Sequence, residues 1–175
     1  MKWSKTKKAI ENLLADSVKD HVQFHMTRYG PGVSQTQARA WITWDKKELV
    51  NMSNAEWLIE TYALERQLRE VNRTVDVNDP QQRKGYDLAR EEARDIVRKK
   101  GVLSRFQFEE SVEKYLDLSI ENALQSDNPI IQAIAMFDRR LGKRRLVQIC
   151  PDTSAHLLVR LFYTLRCKAE EIPTD

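Results

Sequence analysis

The chain has 175 residues, with 29 Lys or Arg against 26 Asp or Glu, a net charge of +3 and 41% hydrophobic residues. That apolar content is enough for one core in a single domain over 1–175 and, with so low a net charge, excludes a disordered chain. Five Gly and five Pro exclude a collagen-like or low-complexity class, and no apolar run approaches the ~18 residues that would suggest a membrane span.

Ala9, Ile10, Leu13, Leu14 and Val18 fall at helical spacing and predict a helix over 4–18. Lys5, Lys7 and Lys8 near its start oppose the helix dipole. The opening residues lack the apolar stretch and small-residue cleavage site of a signal peptide, so the expectation is a cytoplasmic protein with no membrane partner. The period then changes to two. Val22, Phe24 and Met26 alternate with His21, Gln23, His25 and Thr27, a half-buried strand over 21–29. Gly30-Pro31-Gly32 breaks it. A second strand over 38–45 puts Ala40, Ile42 and Trp44 on one face and Trp41, Thr43 and Asp45 on the other. Asp45-Lys46-Lys47 reads as a hairpin turn without a glycine to supply positive φ. A short third strand over 48–52 completes an antiparallel meander.

Beyond Ser53 the pattern is helical. Asn54 is the expected N-cap of a helix carrying Trp57, Leu58, Leu64, Leu68 and Val71. Asp79-Pro80 opens the next, with Tyr86, Ala89, Ala93, Ile96 and Val97 on one face and an end at Arg98-Lys99-Lys100-Gly101. Ser104 and Gln107 form a capping box before the stripe Phe108, Val112, Tyr115, Leu116, Ile120 and Ala123. Asp127-Asn128-Pro129 starts a helix with Ile130, Ile134, Phe137 and Leu141, and a last helix carries Leu157, Leu158, Leu161, Phe162 and Leu165. The expected fold is α+β: an N-terminal helix, a small three-stranded antiparallel meander, then about five mostly amphipathic helices. Helix and meander occupy 1–54 and the helical part 55–175, with a weak joint at 72–80.

Charge is unevenly placed. Residues 1–50 hold 9 basic and 5 acidic groups, 51–136 hold 12 and 16, 137–168 hold 8 and 2, and 169–175 hold none and 3. The most unusual stretch is Asp138-Arg139-Arg140-Leu141-Gly142-Lys143-Arg144-Arg145-Leu146. Leu146 and Val147 fall off the preceding apolar stripe, so the helix is expected to stop or kink near Gly142, with Arg139 and Arg140 in its last turn. Lys143, Arg144 and Arg145 then ask for other partners: acidic groups of the middle segment, an acidic protein surface, a second copy, or phosphates.

Catalytic signatures are missing. The chain has no GxSxG, GxxxxGK[ST], GxGxxG or HExxH. Cys150 and Cys167 sit among apolar residues and read as small core hydrophobes in a reducing compartment. With His21, His25 and His156 they do not make the short-spaced four-ligand set of a zinc site, so no metal or cofactor is expected. The best enzyme candidate is the polar strand face of His21, His25, Thr27 and Tyr29, with Asp45 and Glu48 at the nearby turn and Arg28 on the opposite face. Trp3, Trp41, Trp44 and Trp57 read as core and helix–sheet contacts.

Lys2-Trp3-Ser4-Lys5, Asp16-Ser17, Phe24-His25, Thr27-Arg28-Tyr29, Ala40-Trp41-Ile42-Thr43, the Asp138–Leu146 block and Phe162-Tyr163-x-Leu165-Arg166-Cys167 together resemble a family of conserved, uncharacterised bacterial cytoplasmic proteins. The family turn reads Asp-Gly where this chain has Asp45-Lys46. The resemblance implies a small cytoplasmic protein and assigns no substrate, cofactor or catalytic residue. The functional expectation is a non-enzymatic interaction protein. Arg139, Arg140, Lys143, Arg144 and Arg145 would bind an acidic protein surface or a second copy. The alternatives are a nucleic-acid binder using the same block, and an enzyme with its site on the His21/His25 face.

Overall fold

A computed structural model of the chain describes residues 2–27, 29–30, 34–72, 76 and 78–173. The elements in order are α1 (Trp3–Glu11), β1 (Val22–Met26), β2 (Arg39–Trp44), β3 (Lys47–Ser53), α2 (Asn54–Val71), α3 (Pro80–Lys99), α4 (Arg105–Leu116), α5 (Ile120–Leu124), α6 (Pro129–Phe137), α7 (Lys143–Ile149) and α8 (Leu157–Ala169). The α+β architecture is that expected: a helix, a three-stranded antiparallel sheet in the order β1-β2-β3, then helices.

Strand alternation sets the sheet's buried face. Val22, Phe24, Ala40, Ile42 and Met52 point inward, and α1 and α4 cover them. Phe108 of α4 takes the edge of Trp3 (ring centroids 5.8 Å apart) and lies against Phe24 (6.3 Å). The β2–β3 hairpin closes on two residues, Asp45 (φ 49°) and Lys46 (φ 65°). Both being positive is the type I′ requirement, met here by two residues with Cβ atoms. For Lys46 this costs roughly 1–2 kcal/mol of backbone strain.

α6 is apolar around its whole circumference and is buried accordingly: every residue from Pro129 to Phe137 except Gln132 lies inside. It packs against α4, α5 and α8. Phe137 at its end stacks on Phe162 (4.3 Å) and leans on Trp44 (5.9 Å), joining helices to sheet.

Several local expectations are corrected. The first helix stops at Glu11 instead of running to residue 18, because Leu14 and Ala15 leave it to pair with the chain after α6; Leu14 and Asp138 form an antiparallel bridge. Ser53, not Asn54, caps α2. The Asn54 side chain is buried, donates to the Gln35 carbonyl (2.8 Å) and accepts from the Arg105 amide (3.0 Å), tying the sheet's entry to the start of α4. The stripe expected to run on to Ala123 is broken after Leu116, and Ser119 caps the separate α5. α6 ends at Phe137, so Arg139 and Arg140 lie beyond its last turn. Cys150 is exposed, because α7 ends at Ile149 ahead of Pro151, whereas Cys167 is buried as expected.

α2 and α3 pack on one another. Their seam is Ala89, Ala93 and Val97 with Thr61 and Glu65, and the expected α2 stripe is only half-buried, Val71 being exposed. Ile59, Tyr62 and Leu88 are exposed too. Of the expected joint at 72–80, residues 73–75 and 77 lie outside the described residues.

Lys46→Gly should relieve the left-handed strain and stabilise the protein by about 0.5–1 kcal/mol after the glycine's greater unfolded-state entropy is set against it. Thermal unfolding should show a rise of roughly 1–4 °C; a fall would mean that the Lys46 backbone is not strained.

Candidate functional site

The basic block begins at a buried carboxylate. Asp138 is 1% exposed and sits where the end of α6 meets the segment after α1: the Ala15 amide donates to the Phe137 carbonyl (2.9 Å) and the Arg139 amide to the Leu13 carbonyl (2.8 Å). Arg140 answers its charge through Nε (3.0 Å) and Nη2 (2.7 Å) on Oδ2, while the Arg140 amide reaches Oδ1 (2.7 Å). The remaining nitrogen, Nη1, donates to the Leu118 carbonyl (2.8 Å). Tyr115 of α4 donates its hydroxyl to the same Oδ2. Burial, and then this bond to a carboxylate, push the Tyr115 hydroxyl well above the usual phenol range, and the Asp138 carboxylate raises Arg140 further.

Two more of the block's cations are used internally. Lys143 Nζ donates to the Glu170 carbonyl at the end of α8 (2.6 Å). Arg145 Nη1 meets Glu121 Oε1 of α5 (2.7 Å) and holds that carboxyl below its ordinary value. The Arg145–Glu121 pair is the contact with an acidic group of the middle segment that the charge pattern allowed. Arg139 and Arg144 are different: both are exposed, and neither makes an ion pair among the described residues. Arg139 adds only the smallest of the contributions that hold Asp16 low.

A buried guanidinium of the last helix went unremarked in the sequence. Arg166 of α8 donates to the Phe137 carbonyl (3.1 Å) and pairs with Glu170 (2.9 Å), which also accepts from the Ser17 hydroxyl (2.7 Å). Burial pulls its pKa down against the opposing pull of Glu170. Neither Tyr115 nor Arg166 could be singled out beforehand, since each sits at a spacing that suits an ordinary helix face.

The His21/His25 face does not converge on one site. His21 donates from Nδ1 to Asp45 Oδ1 (2.6 Å) and stacks on Trp44, with ring centroids 5.0 Å apart. A carboxylate only accepts, so Nδ1 is the donor of this bond. His25 has its own partners, Thr43 Oγ1 (3.3 Å) and the Trp41 ring (4.9 Å), over which Arg39 also lies. Thr27 exchanges hydrogen bonds with the Arg39 backbone, Glu48 pairs with Arg39, and Tyr29 is exposed. Arg28 lies outside the described residues. The grooves of the helical part, among them one of about 420 Å³ between the end of α7 and α8, are lined by other residues. Among the described residues no group of three His, Cys, Asp or Glu is placed to hold a metal ion, and no helix is long and apolar enough to cross a membrane.

Residues 2–167 match one family model over nearly the whole chain. The chain belongs to the SF0329 protein family. No curated protein and no solved structure matches it. In this SF0329 protein two of the blocks that the sequence singled out meet in space. The Asp138–Leu146 block anchors α6 to the segment that follows α1 and, through Arg145, to α5, and Arg166 of the last block bonds the carbonyl just before Asp138.

Asp138→Ala should leave the buried Tyr115 hydroxyl and the Arg140 guanidinium, whose side chain is 32% exposed, without their acceptor and cost about 2–4 kcal/mol. Tyr115→Phe should cost less, about 1.5–3 kcal/mol. Urea midpoints decide both, and an Asp138→Ala loss below that of Tyr115→Phe would remove Asp138 from the centre of the network. A pH dependence follows from His25, whose imidazole is held below 6.5 by burial and then by Lys7 and Arg39. Between the folded value and 6.5 the unfolded chain binds more protons, so stability should fall as pH is lowered through that window. His25→Gln should flatten that limb of a Tm-versus-pH series, and an unchanged slope would assign it to other groups.

Proposed function

We propose that this SF0329 protein is a cytoplasmic, non-enzymatic interaction protein that holds an acidic protein surface through the exposed members of its basic block. The observation that carries this reading is the division of labour within the block. Arg140, Lys143 and Arg145 are bonded within the fold, while Arg139 and Arg144 are exposed without an ion pair among the described residues. Arginine is the cation suited to carboxylates, binding them in a planar fork with a weaker hydration cost than lysine. The reading needs no cofactor. Phosphate is the competing acceptor, but the stretch has no interleaved aromatic residue on which bases would stack.

Fluorescence anisotropy with three probes tests it: a labelled acidic peptide of leucine and glutamate, duplex DNA and single-stranded RNA, at about 50 and 200 mM salt. The peptide should bind, and Arg139→Glu with Arg144→Glu should weaken it about five- to tenfold at the lower salt while leaving the fold intact. Nucleic-acid binding tighter than peptide binding would overturn the reading in favour of a phosphate surface. Peptide binding indifferent to the double variant would take the block out of the interaction.

A further inference from the structure

We propose that the acidic surface held by this protein is the α3 face of a second copy of the chain, in a reciprocal dimer. The proposal rests on the interaction reading above and names its partner.

The receiving surface is the groove of about 420 Å³ between the end of α7 and α8. Val147, 53% exposed, and Ile172 give it an apolar wall. Arg160 of α8 lines it without an ion pair among the described residues, and its Nε is buried with no hydrogen-bond partner. Arg144 lies three residues before Val147 and so shares its face of α7. The result is an apolar strip flanked by two unpaired guanidinium groups. Covering it with a purely apolar partner would desolvate two cations without compensation, which is costly. An apolar side chain accompanied by carboxylates meets both demands.

The same chain carries that complement. On α3, Leu88 is 55% exposed, and Glu91 and Glu92 follow it at three and four residues, on its side of the helix. Neither glutamate makes an ion pair among the described residues. They line a wide, open groove with Asp95, which pairs with Arg98, and Arg94, which lies over the Trp57 ring, so Glu91 and Glu92 are its carboxylates without an ion pair among the described residues. On α7 the charge precedes the apolar residue by one turn, and on α3 it follows by one turn. Two helices laid along each other can therefore pair Val147 with Leu88 and Arg144 with Glu91 or Glu92 together. The protomer does not satisfy itself. α3 packs along α2, and the tie described between it and the α8 end is a bond from His156 Nε2 to the Arg98 carbonyl (3.0 Å), ten residues beyond Leu88. A two-fold arrangement makes the contact twice and leaves neither surface open, so the assembly closes at two copies.

Size-exclusion chromatography with light scattering on the full chain, from about 1 to 200 µM, reads the outcome, since a standard interface built on few charged pairs falls in the micromolar range. The mass should rise to about twice the 20.5 kDa protomer. Arg144→Glu with Arg160→Glu should return the protein to monomer, and so should Glu91→Arg with Glu92→Arg. Mixing the two charge-reversed proteins should restore a dimer that neither forms alone, because both contacts are again of opposite sign. Arg144→Glu by itself, at an exposed position, should still lower the dimer's stability at least threefold and guards against misfolding of the Arg160 variant. A monomer throughout the range, or a dimer untouched by all four reversals, overturns the proposal. A monomer that still binds the acidic Leu/Glu peptide through Arg144 overturns only the choice of partner, whereas loss of both readouts overturns the interaction reading as well.

Discussion

A carboxylate buried at 1% exposure where three chain segments cross is the constraint on which much of this molecule turns. Asp138 cannot be left in the interior as a bare charge, because the desolvation cost would exceed the protein's margin of stability. Arg140 and Tyr115 therefore have to be where they are, and each brings a segment with it. Tyr115 fixes α4, which with α1 covers the sheet. Arg140 fixes the turn between α6 and α7 and, through the Leu118 carbonyl, the link into α5. The backbone pairing of Leu13 to Ala15 with Phe137 to Arg139 fixes the end of α1. Arg166 satisfies the Phe137 carbonyl from α8, so the last helix is bound to the same crossing. A polar hub of this kind contributes less to net stability than an apolar one of equal volume could, but it admits few alternative arrangements of the segments it joins.

This hub changes the meaning of the basic block. Five cations in seven residues look like a surface for an anionic partner, and in isolation would be one. Three of them are taken up by groups that folding brings close: a buried aspartate two residues away, a glutamate on α5 and a backbone carbonyl at the end of α8. What reaches solvent without an ion pair among the described residues is narrower, Arg139 and Arg144, with Arg160 contributed from a different helix. An interaction surface in this protein is thus an assembly of α7 and α8 in space, and its apolar component, Val147 and Ile172, is as much a part of it as its charge. The sheet shows the converse. Its histidines, tryptophans and arginine are stacked into pairs, His21 on Trp44 and His25 and Arg39 on Trp41, so polar residues that suggested chemistry are held by their neighbours.

The helical hairpin of α2 and α3 follows a different rule from the rest. Its seam is made of alanines, a valine, a threonine and a glutamate, whereas α6 is buried on all sides. The hairpin leaves Leu88, Ile59, Tyr62 and Val71 facing solvent. Helices with so thin a seam gain little from each other and tolerate, or require, a further surface.

Much of the architecture was legible in the sequence, because it depends on local rules. Period-two alternation, which gives strands at Val22–Met26 and Arg39–Trp44 inside the expected 21–29 and 38–45, the capping box at Ser104 and Gln107, the Asp79-Pro80 and Asn128-Pro129 starts and the glycine after Lys100 each specify backbone geometry within a few residues. The turn at Asp45-Lys46 was legible in place and not in type, since its two positive φ values are imposed by the strand pairing around it against the preference of lysine. Where elements end was decided by long-range contacts. α1 stops at Glu11 although its apolar spacing continues, because Leu14 and Ala15 find backbone partners more than a hundred residues away. α6 stops at Phe137 because Asp138 turns its side chain to Arg140 and Tyr115. The sequence by itself therefore determined the order of helix, meander and main helices and which of their faces are apolar, while α5 and α7 as separate helices came only with folding. Tertiary structure alone decided which charges are spent inside the fold and which face a partner, because an ion pair is a relation between positions that only folding makes neighbours.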